Sequence, residues 1–146
     1  MRVFLANAEA EVRAALRLVF SQERDVCVAG EAQGTHGLLE RIQAARPDLV
    51  FLDWELPGPP VADLIPALRA APGGASGQPG VIVLSLRPEA EAAALNAGAD
   101  VFFSKADPPE RLLEALRTLV EGCRTRVFGH DGLAGERAAR PAPRSI

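Results

Sequence analysis

Short apolar runs alternate with helical patterns along the first 121 residues, and this alternation limits what the chain can fold into. Each run is three or four residues long and rich in Val, Phe, Ile and Leu, which is typical of strands buried on both faces. The predicted strands are Val3–Ala6, Val26–Ala29, Leu49–Leu52, Val81–Leu84 and Val101–Phe103.

The segments between and after these runs have the spacing of amphipathic helices. In the first segment, for example, Val12, Leu16 and Val19 share one face. The fourth segment is mostly alanine, so we expect it to pack closely while burying little area. The predicted helices cover residues 10–21, 35–46, 61–70, 89–97 and 109–121. Five strands in strict alternation with five helices predict an α/β fold with a parallel sheet and right-handed crossover connections.

Composition divides the chain into a domain and a tail. Residues 1–122 contain 17 acidic and 11 basic residues, whereas residues 123–146 contain 2 acidic residues and 5 arginines. We therefore predict a single domain over 1–122 and a flexible Arg/Pro-rich tail over 123–146. Residues 71–80, which are rich in Gly, Pro and Ala, are predicted to form a surface loop.

Charge and cysteine content narrow the class of protein. A net charge of −3 gives no global attraction to nucleic acid or membranes, and an apolar fraction of 48% excludes bulk disorder. No apolar run is long enough for a signal peptide or a membrane-spanning helix. The two cysteines, Cys27 and Cys123, are expected to be reduced thiols, with Cys27 buried in a strand, and a cytoplasmic location follows from these observations.

Polar side chains follow several of the predicted strands, where sheets of this kind place their chemistry. The polar segments at these ends are Asn7–Glu9, Asp53–Glu55, Ser85–Arg87 and Ser104–Lys105. Lys105 is the only lysine in a chain with fifteen arginines. A phosphoryl group on Asp53 would find the Ser85 hydroxyl and the Lys105 ammonium available for its oxygens.

Four stretches of the sequence resemble the receiver domain of response regulators in two-component signalling, and they occur in the same order as in that family. They are PDLVFLD at 47–53, LPG at 56–58, VIVLS at 81–85 and GADVFFSK at 98–105. The resemblance covers residues 1–121. It implies a flavodoxin-like, five-stranded parallel sheet with five alternating helices and the strand order 2-1-3-4-5.

The resemblance also implies roles for individual residues. Asp53 stands at the position that accepts phosphate from a histidine kinase, and Ser85 and Lys105 stand where the family contacts the phosphoryl group. Phe102 stands at the aromatic position that rotates together with the Ser/Thr as a switch. The face formed by the fourth helix, fifth strand and fifth helix, residues 89–121, engages partners in the family, so a homodimer through it is an expectation. Neither enzyme activity nor a DNA-binding output domain is expected.

The magnesium site departs from the family pattern. The family has two acidic residues after the first strand, where this chain has Asn7 and Ala8. The remaining candidate ligands are Asp53, Asn7 and Glu55, whereas the side chain of Glu9 starts one residue too far along. Because Mg²⁺ favours octahedral oxygen ligands that include carboxylates, we predict that this site is weak or absent. Ala106, at a position where the family usually has proline, is a further departure.

These features favour an atypical receiver, a pseudo-receiver, that acts through protein–protein contacts with a histidine kinase or another signalling protein. Asp53 and Lys105 would neutralise each other directly, and phosphoryl transfer would lose the ion that offsets charge in the transition state. One alternative is a receiver that still accepts phosphate on Asp53. The other is a flavodoxin-like small-ligand binder, which the segment Ala6–Glu9 disfavours because it has no glycine-rich phosphate loop.

Overall fold

The structure is a computed structural model that describes residues 1–70, 78–108, 110–112, 114, 115, 117, 118 and 121. The predicted tail, 123–146, and most of the predicted loop, 71–77, lie outside the described residues. Strands and helices alternate in the order β1 (Arg2–Ala6), α1 (Ala10–Ser21), β2 (Cys27–Ala32), α2 (Leu38–Ala45), β3 (Leu49–Asp53), α3 (Val61–Ala70), β4 (Gly80–Ser85), α4 (Ala90–Ala97) and β5 (Val101–Ser104). Helical backbone also occurs at 110–112, 114, 115, 117, 118 and 121, within the predicted fifth helix.

The five strands form one parallel sheet in the order β2-β1-β3-β4-β5, which confirms the predicted topology. The register of the sheet determines which side chains meet at its carboxyl edge. Ala6 pairs with Leu52, Asp53 with Leu84, and Ser85 with Ser104. The residues that follow β1, β3, β4 and β5 therefore lie side by side at one edge.

Both faces of the sheet are covered, and β3 is buried along its whole length. Alternate residues of each strand enter opposite core clusters, as the pleat of a strand requires. Val50 and Leu52 lie in the cluster that includes Ile65 of α3, whereas Phe51 lies in the cluster that includes Phe20 of α1. Complete burial of a side chain of this size stabilises the fold by about 1.5–3 kcal/mol, so the strands that lead to the carboxyl edge are firmly packed.

Strand β2 differs from its prediction at both ends. It runs three residues further than Ala29 because Ala6 pairs with Ala32 in parallel register. Cys27 is exposed, so the prediction of a buried cysteine was wrong. The physical reason is position, since β2 is an edge strand of the sheet and Cys27 is its first residue.

Helix α2 starts at Leu38, three residues later than predicted. The preceding Gly37 has a left-handed backbone with φ of 68°, which a glycine adopts without steric cost. Thr35 is held outside the helix, because its backbone N–H donates to the Pro57 carbonyl at 2.9 Å and its hydroxyl donates to the Pro59 carbonyl at 2.8 Å. These bonds also anchor the loop that follows β3.

Helix α4 contributes two buried side chains, Ala90 and Ala94, which agrees with the expectation of close packing with little buried area. An ion pair next to this helix supplies part of the stability that its small buried area does not. Arg69 of α3 donates to both carboxylate oxygens of Asp100, at 2.8 and 3.0 Å, and the Val81 N–H donates to the same carboxylate at 2.8 Å. Asp100 therefore joins α3, the start of β4 and the turn before β5.

Among the described residues, no helix has the length and apolar character needed to cross a lipid bilayer.

We expect the Asp100→Asn substitution to lower the free energy of unfolding by about 1–3 kcal/mol, because it weakens charge-assisted hydrogen bonds from Arg69 and leaves the Val81 N–H poorly paired. Urea unfolding followed by circular dichroism measures this change. Asp63→Asn, an exposed position in the first turn of α3, is the matched control and should change stability by less than about 0.5 kcal/mol. Equal effects of the two substitutions would contradict the proposed role of Asp100.

Candidate functional site

Asp53 and Lys105 form an ion pair at the carboxyl edge of the sheet. Asp53 is the last residue of β3 and is only 3% exposed, and its Oδ2 lies 3.0 Å from Nζ of Lys105. The Lys105 backbone N–H donates to the Ser85 carbonyl at 2.8 Å, which fixes the start of this side chain beside β4. The ammonium thus neutralises a carboxylate that the fold has removed from water.

Two further carboxylates lie near the same ammonium. Glu9 Oε1 is 3.6 Å and Glu55 Oε1 is 3.9 Å from Nζ of Lys105. Glu9 comes this close although its side chain starts beyond the two positions that carry acids in the family pattern. Its backbone N–H donates to Asn7 Oδ1 at 2.8 Å, and this turn brings Glu9 over the sheet edge. One cation therefore faces three acidic side chains.

Ser85, the last residue of β4, is fully buried, and its hydroxyl donates to Glu55 Oε2 at 2.5 Å. The same hydroxyl accepts the Arg87 N–H at 2.9 Å. The other oxygen of Glu55, Oε1, accepts the Leu86 N–H at 3.1 Å. The structure therefore brings together three predicted site residues, Asp53, Ser85 and Lys105, but places the Glu55 carboxylate on the Ser85 hydroxyl.

Asn7 follows β1 and is 2% exposed. Its backbone N–H donates to the Ala32 carbonyl at 3.0 Å, its Oδ1 accepts the Glu9 N–H, and its carbonyl accepts a hydrogen bond of 2.6 Å from Arg13 Nη1. Among the described residues, its buried Nδ2 has no hydrogen-bond partner. The Asn7 side chain is thus held by its own loop.

Two contacts of this site were not predicted from the sequence. Arg13 is buried on the same face of α1 as Leu16 and Phe20, and this helical spacing was the available signal. Glu55 contacts Ser85 across 30 residues of chain. The only sequence signal for that contact is that the two residues lie at the ends of neighbouring strands. This signal does not define the direction of the Glu55 side chain.

Three further residues near the site are Phe102, Trp54 and Ala106. Phe102 is 3% exposed within the core cluster on the α3 side of the sheet, and Trp54 is half-buried against that cluster, next to Asp53. The Ala106 N–H donates to Ser104 Oγ at 3.2 Å, a bond that a proline could not make. Lys105 reaches Asp53 with alanine at this position.

Comparison with known proteins agrees with this arrangement. Residues 3–117 match the family model described as the response regulator receiver domain. The nitrate/nitrite response regulator protein NarL of Escherichia coli K12 is 30% identical over 120 residues, which cover 82% of this chain and 55% of that protein. Protein-glutamate methylesterase/protein-glutamine glutaminase 5 of Myxococcus xanthus is 33% identical over 98% of this chain and 40% of that protein. The chain thus spans about half the length of these relatives, or less.

Solved structures of receiver domains share the fold of this chain. The signal receiver domain of the putative response regulator NarL from Mycobacterium tuberculosis is 27% identical, with a TM-score of 0.68 over 83% of this chain and 96% of that one. The isolated REC domain of RcsB from Salmonella enterica serovar Typhimurium, in the presence of the phosphomimetic BeF3−, is similar in fold, with 24% identity and a TM-score of 0.71 over 84% and 89% of the two chains. With its parallel sheet of matching strand order and its aspartate, serine and lysine at one edge, the chain belongs to the receiver domains of two-component response regulators.

Proposed function

We propose that this receiver domain is a pseudo-receiver: it binds Mg²⁺ weakly or not at all, phosphorylation of Asp53 is weak or lost, and it signals through protein–protein contacts. Its partner is a histidine kinase or another signalling protein. Receiver domains typically use Mg²⁺ for phosphorylation, so the proposal depends on whether the residues at the sheet edge fit that ion.

The observation that carries the proposal is the set of groups after β1. The side chain of Ala8 has no atom that can bind a metal, and Oδ1 of Asn7 is already engaged by the Glu9 N–H at 2.8 Å. The buried Nδ2 of Asn7 is a hydrogen-bond donor, which a cation does not satisfy. These residues do not fit a Mg²⁺ site, which requires oxygen ligands in near-octahedral geometry.

The oxygens of Asp53 support the same proposal. Oδ2 is paired with Lys105 at 3.0 Å, and Oδ1 accepts the Glu55 N–H at 3.0 Å. A metal ion at Asp53 would compete with the Lys105 ammonium for the carboxylate, and it would gain no carboxylate from Asn7 or Ala8 after β1. In the described part of the chain, no three His, Cys, Asp or Glu side chains are grouped in a way that could hold a metal ion.

The proposed contact surface is the face over residues 89–121, which we suggest also mediates homodimerisation. In the described part of this face, α4 exposes Ala92 and Ala93 on one side of the sheet, and the fifth helix exposes residues 110, 111, 114 and 117 on the other side. The small side chains of α4 leave room for close approach of a partner, and the charged side chains of the fifth helix allow charge-dependent selection of it.

One observation favours the alternative in which Asp53 still accepts phosphate. The Glu9 carboxylate lies 3.6 Å from Nζ of Lys105, so a further acid is present at the pocket and could replace one of the two missing acids. In this alternative, Ser85 and Lys105 contact the phosphoryl oxygens, and Asn7 and Glu9 help to place Mg²⁺. A measurement of Mg²⁺ binding by the wild-type protein distinguishes the pseudo-receiver from the phosphate-accepting receiver.

Trp54, the only tryptophan, lies next to Asp53 and reports on the pocket. We expect its fluorescence to show no saturable change when Mg²⁺ is added to millimolar concentration, and none when beryllofluoride follows. The control is the double variant Asn7→Asp/Ala8→Asp, which supplies two carboxylates and should gain a saturable response to Mg²⁺. A saturable millimolar response of the wild-type protein, deepened by beryllofluoride, would instead establish the phosphate-accepting receiver.

We expect the Lys105→Ala substitution to lower the free energy of unfolding by about 3 kcal/mol, because it leaves the buried Asp53 charge without its cation. The double variant Asp53→Asn/Lys105→Ala should recover most of this loss, since it removes the uncompensated charge as well. Urea unfolding in metal-free buffer measures both values. If the two variants are equally destabilised, neutralisation of Asp53 is not the role of Lys105.

A further inference from the structure

We propose that the Glu55 carboxylate is an internal anion that occupies the oxyanion-binding groups of this pocket and holds the end of β4 in place without phosphorylation. This inference deepens the proposed function and rests on it, because it concerns the regulation of the same site. It assigns to Glu55 a role as a positioning residue for Ser85 and Leu86, in place of metal coordination.

Two hydrogen-bond donors and one cation converge on the Glu55 carboxylate from neighbouring strand ends. The Ser85 hydroxyl donates to Oε2 at 2.5 Å, and the Leu86 backbone N–H donates to Oε1 at 3.1 Å. The Lys105 ammonium lies 3.9 Å from Oε1. A hydroxyl, a backbone N–H and an ammonium are the groups that proteins combine to bind an oxyanion.

The length and burial of these contacts indicate a strong interaction. An O–H···O⁻ distance of 2.5 Å lies at the short end of the range for charge-assisted hydrogen bonds. Ser85 is fully buried and the Glu55 side chain is 32% exposed, so water competes only partly for these groups. Any other oxyanion that uses the same donors must first displace Glu55.

The contact extends beyond Glu55 into the connection between β4 and α4. Because the Ser85 hydroxyl donates to Glu55, its oxygen is oriented to accept the Arg87 N–H at 2.9 Å. Leu86, between these two residues, is 62% exposed. Its N–H is therefore protected from solvent by the Glu55 carboxylate and not by its own side chain, which makes this amide a sensitive reporter.

The first test is amide hydrogen exchange, followed by NMR in metal-free buffer. In the Glu55→Ala variant, the Leu86 amide should exchange about tenfold faster than in the wild-type protein, because its acceptor is gone. Glu55→Gln, which keeps the shape but can no longer accept with both oxygens, should show an intermediate increase. Well-dispersed spectra, with unchanged exchange at Val50 and Phe51 in the core of β3, identify the variants that are folded.

The control is Glu9→Gln, which removes the same charge from beside Lys105 but does not contact Ser85 or Leu86 through its carboxylate in the described structure. Its Leu86 amide should exchange within about twofold of the wild-type rate. If Glu9→Gln accelerates this exchange as much as Glu55→Ala does, the effect is one of net charge, and the inference is wrong. Equal exchange in the wild-type protein and in Glu55→Ala also overturns it.

The second test uses inorganic phosphate without Mg²⁺. Phosphate should slow exchange of the Leu86 amide in Glu55→Ala in a saturable way and leave the wild-type rate unchanged, since Glu55 already occupies the donors there. A phosphate response of equal size in both proteins, or in neither, overturns the inference.

These outcomes are distinguishable from failure of the proposed function. A wild-type protein that binds Mg²⁺ and beryllofluoride refutes the pseudo-receiver, whereas the metal-free exchange rates alone decide the role of Glu55.

Discussion

A carboxylate at the end of a fully buried strand must be neutralised, and the rest of the functional edge depends on how this chain does it. Asp53 is carried into the interior by β3, where an isolated charge costs several kcal/mol. The counter-charge comes from Lys105, whose backbone is attached to the end of β4 through the Ser85 carbonyl. The pairing of Asp53 with Lys105 therefore links the ends of β3, β4 and β5.

Most polar groups around the Asp53–Lys105 pair form hydrogen bonds with other groups of the protein. Asn7 uses its side-chain oxygen for the loop after β1, and Glu55 takes the hydroxyl and backbone donors at the end of β4. In a receiver that depends on a metal, several acids repel one another until a cation arrives. Here, both acids after β1 are replaced, and the three acidic side chains that remain share the Lys105 ammonium, so contacts within the chain replace part of what an ion would provide.

The alternation of apolar runs and helical patterns was sufficient to predict a parallel sheet with polar groups at its carboxyl edge. The strand order was available only from the resemblance to receiver domains. It was insufficient where the result depends on partners that are distant along the chain. The late start of α2 follows from the bonds between Thr35 and the loop after β3, and the exposure of Cys27 follows from the edge position of β2. The bond from Ser85 to Glu55 depends on a side-chain rotamer, for which composition and spacing contain no information.

Helix α4 buries only small side chains completely, so its position depends on the structure at its two ends. Its two buried side chains are alanines, and each buried methyl group contributes only about 0.8 kcal/mol, so the helix is held less by its own packing than by the structure on either side of it. The ion pair between Arg69 and Asp100 fixes the turn after α4, and the connection before α4 begins at Ser85. Because α4 has little packing of its own, we expect changes at Asp100 or in the connection from Ser85 to shift this helix more than the sheet.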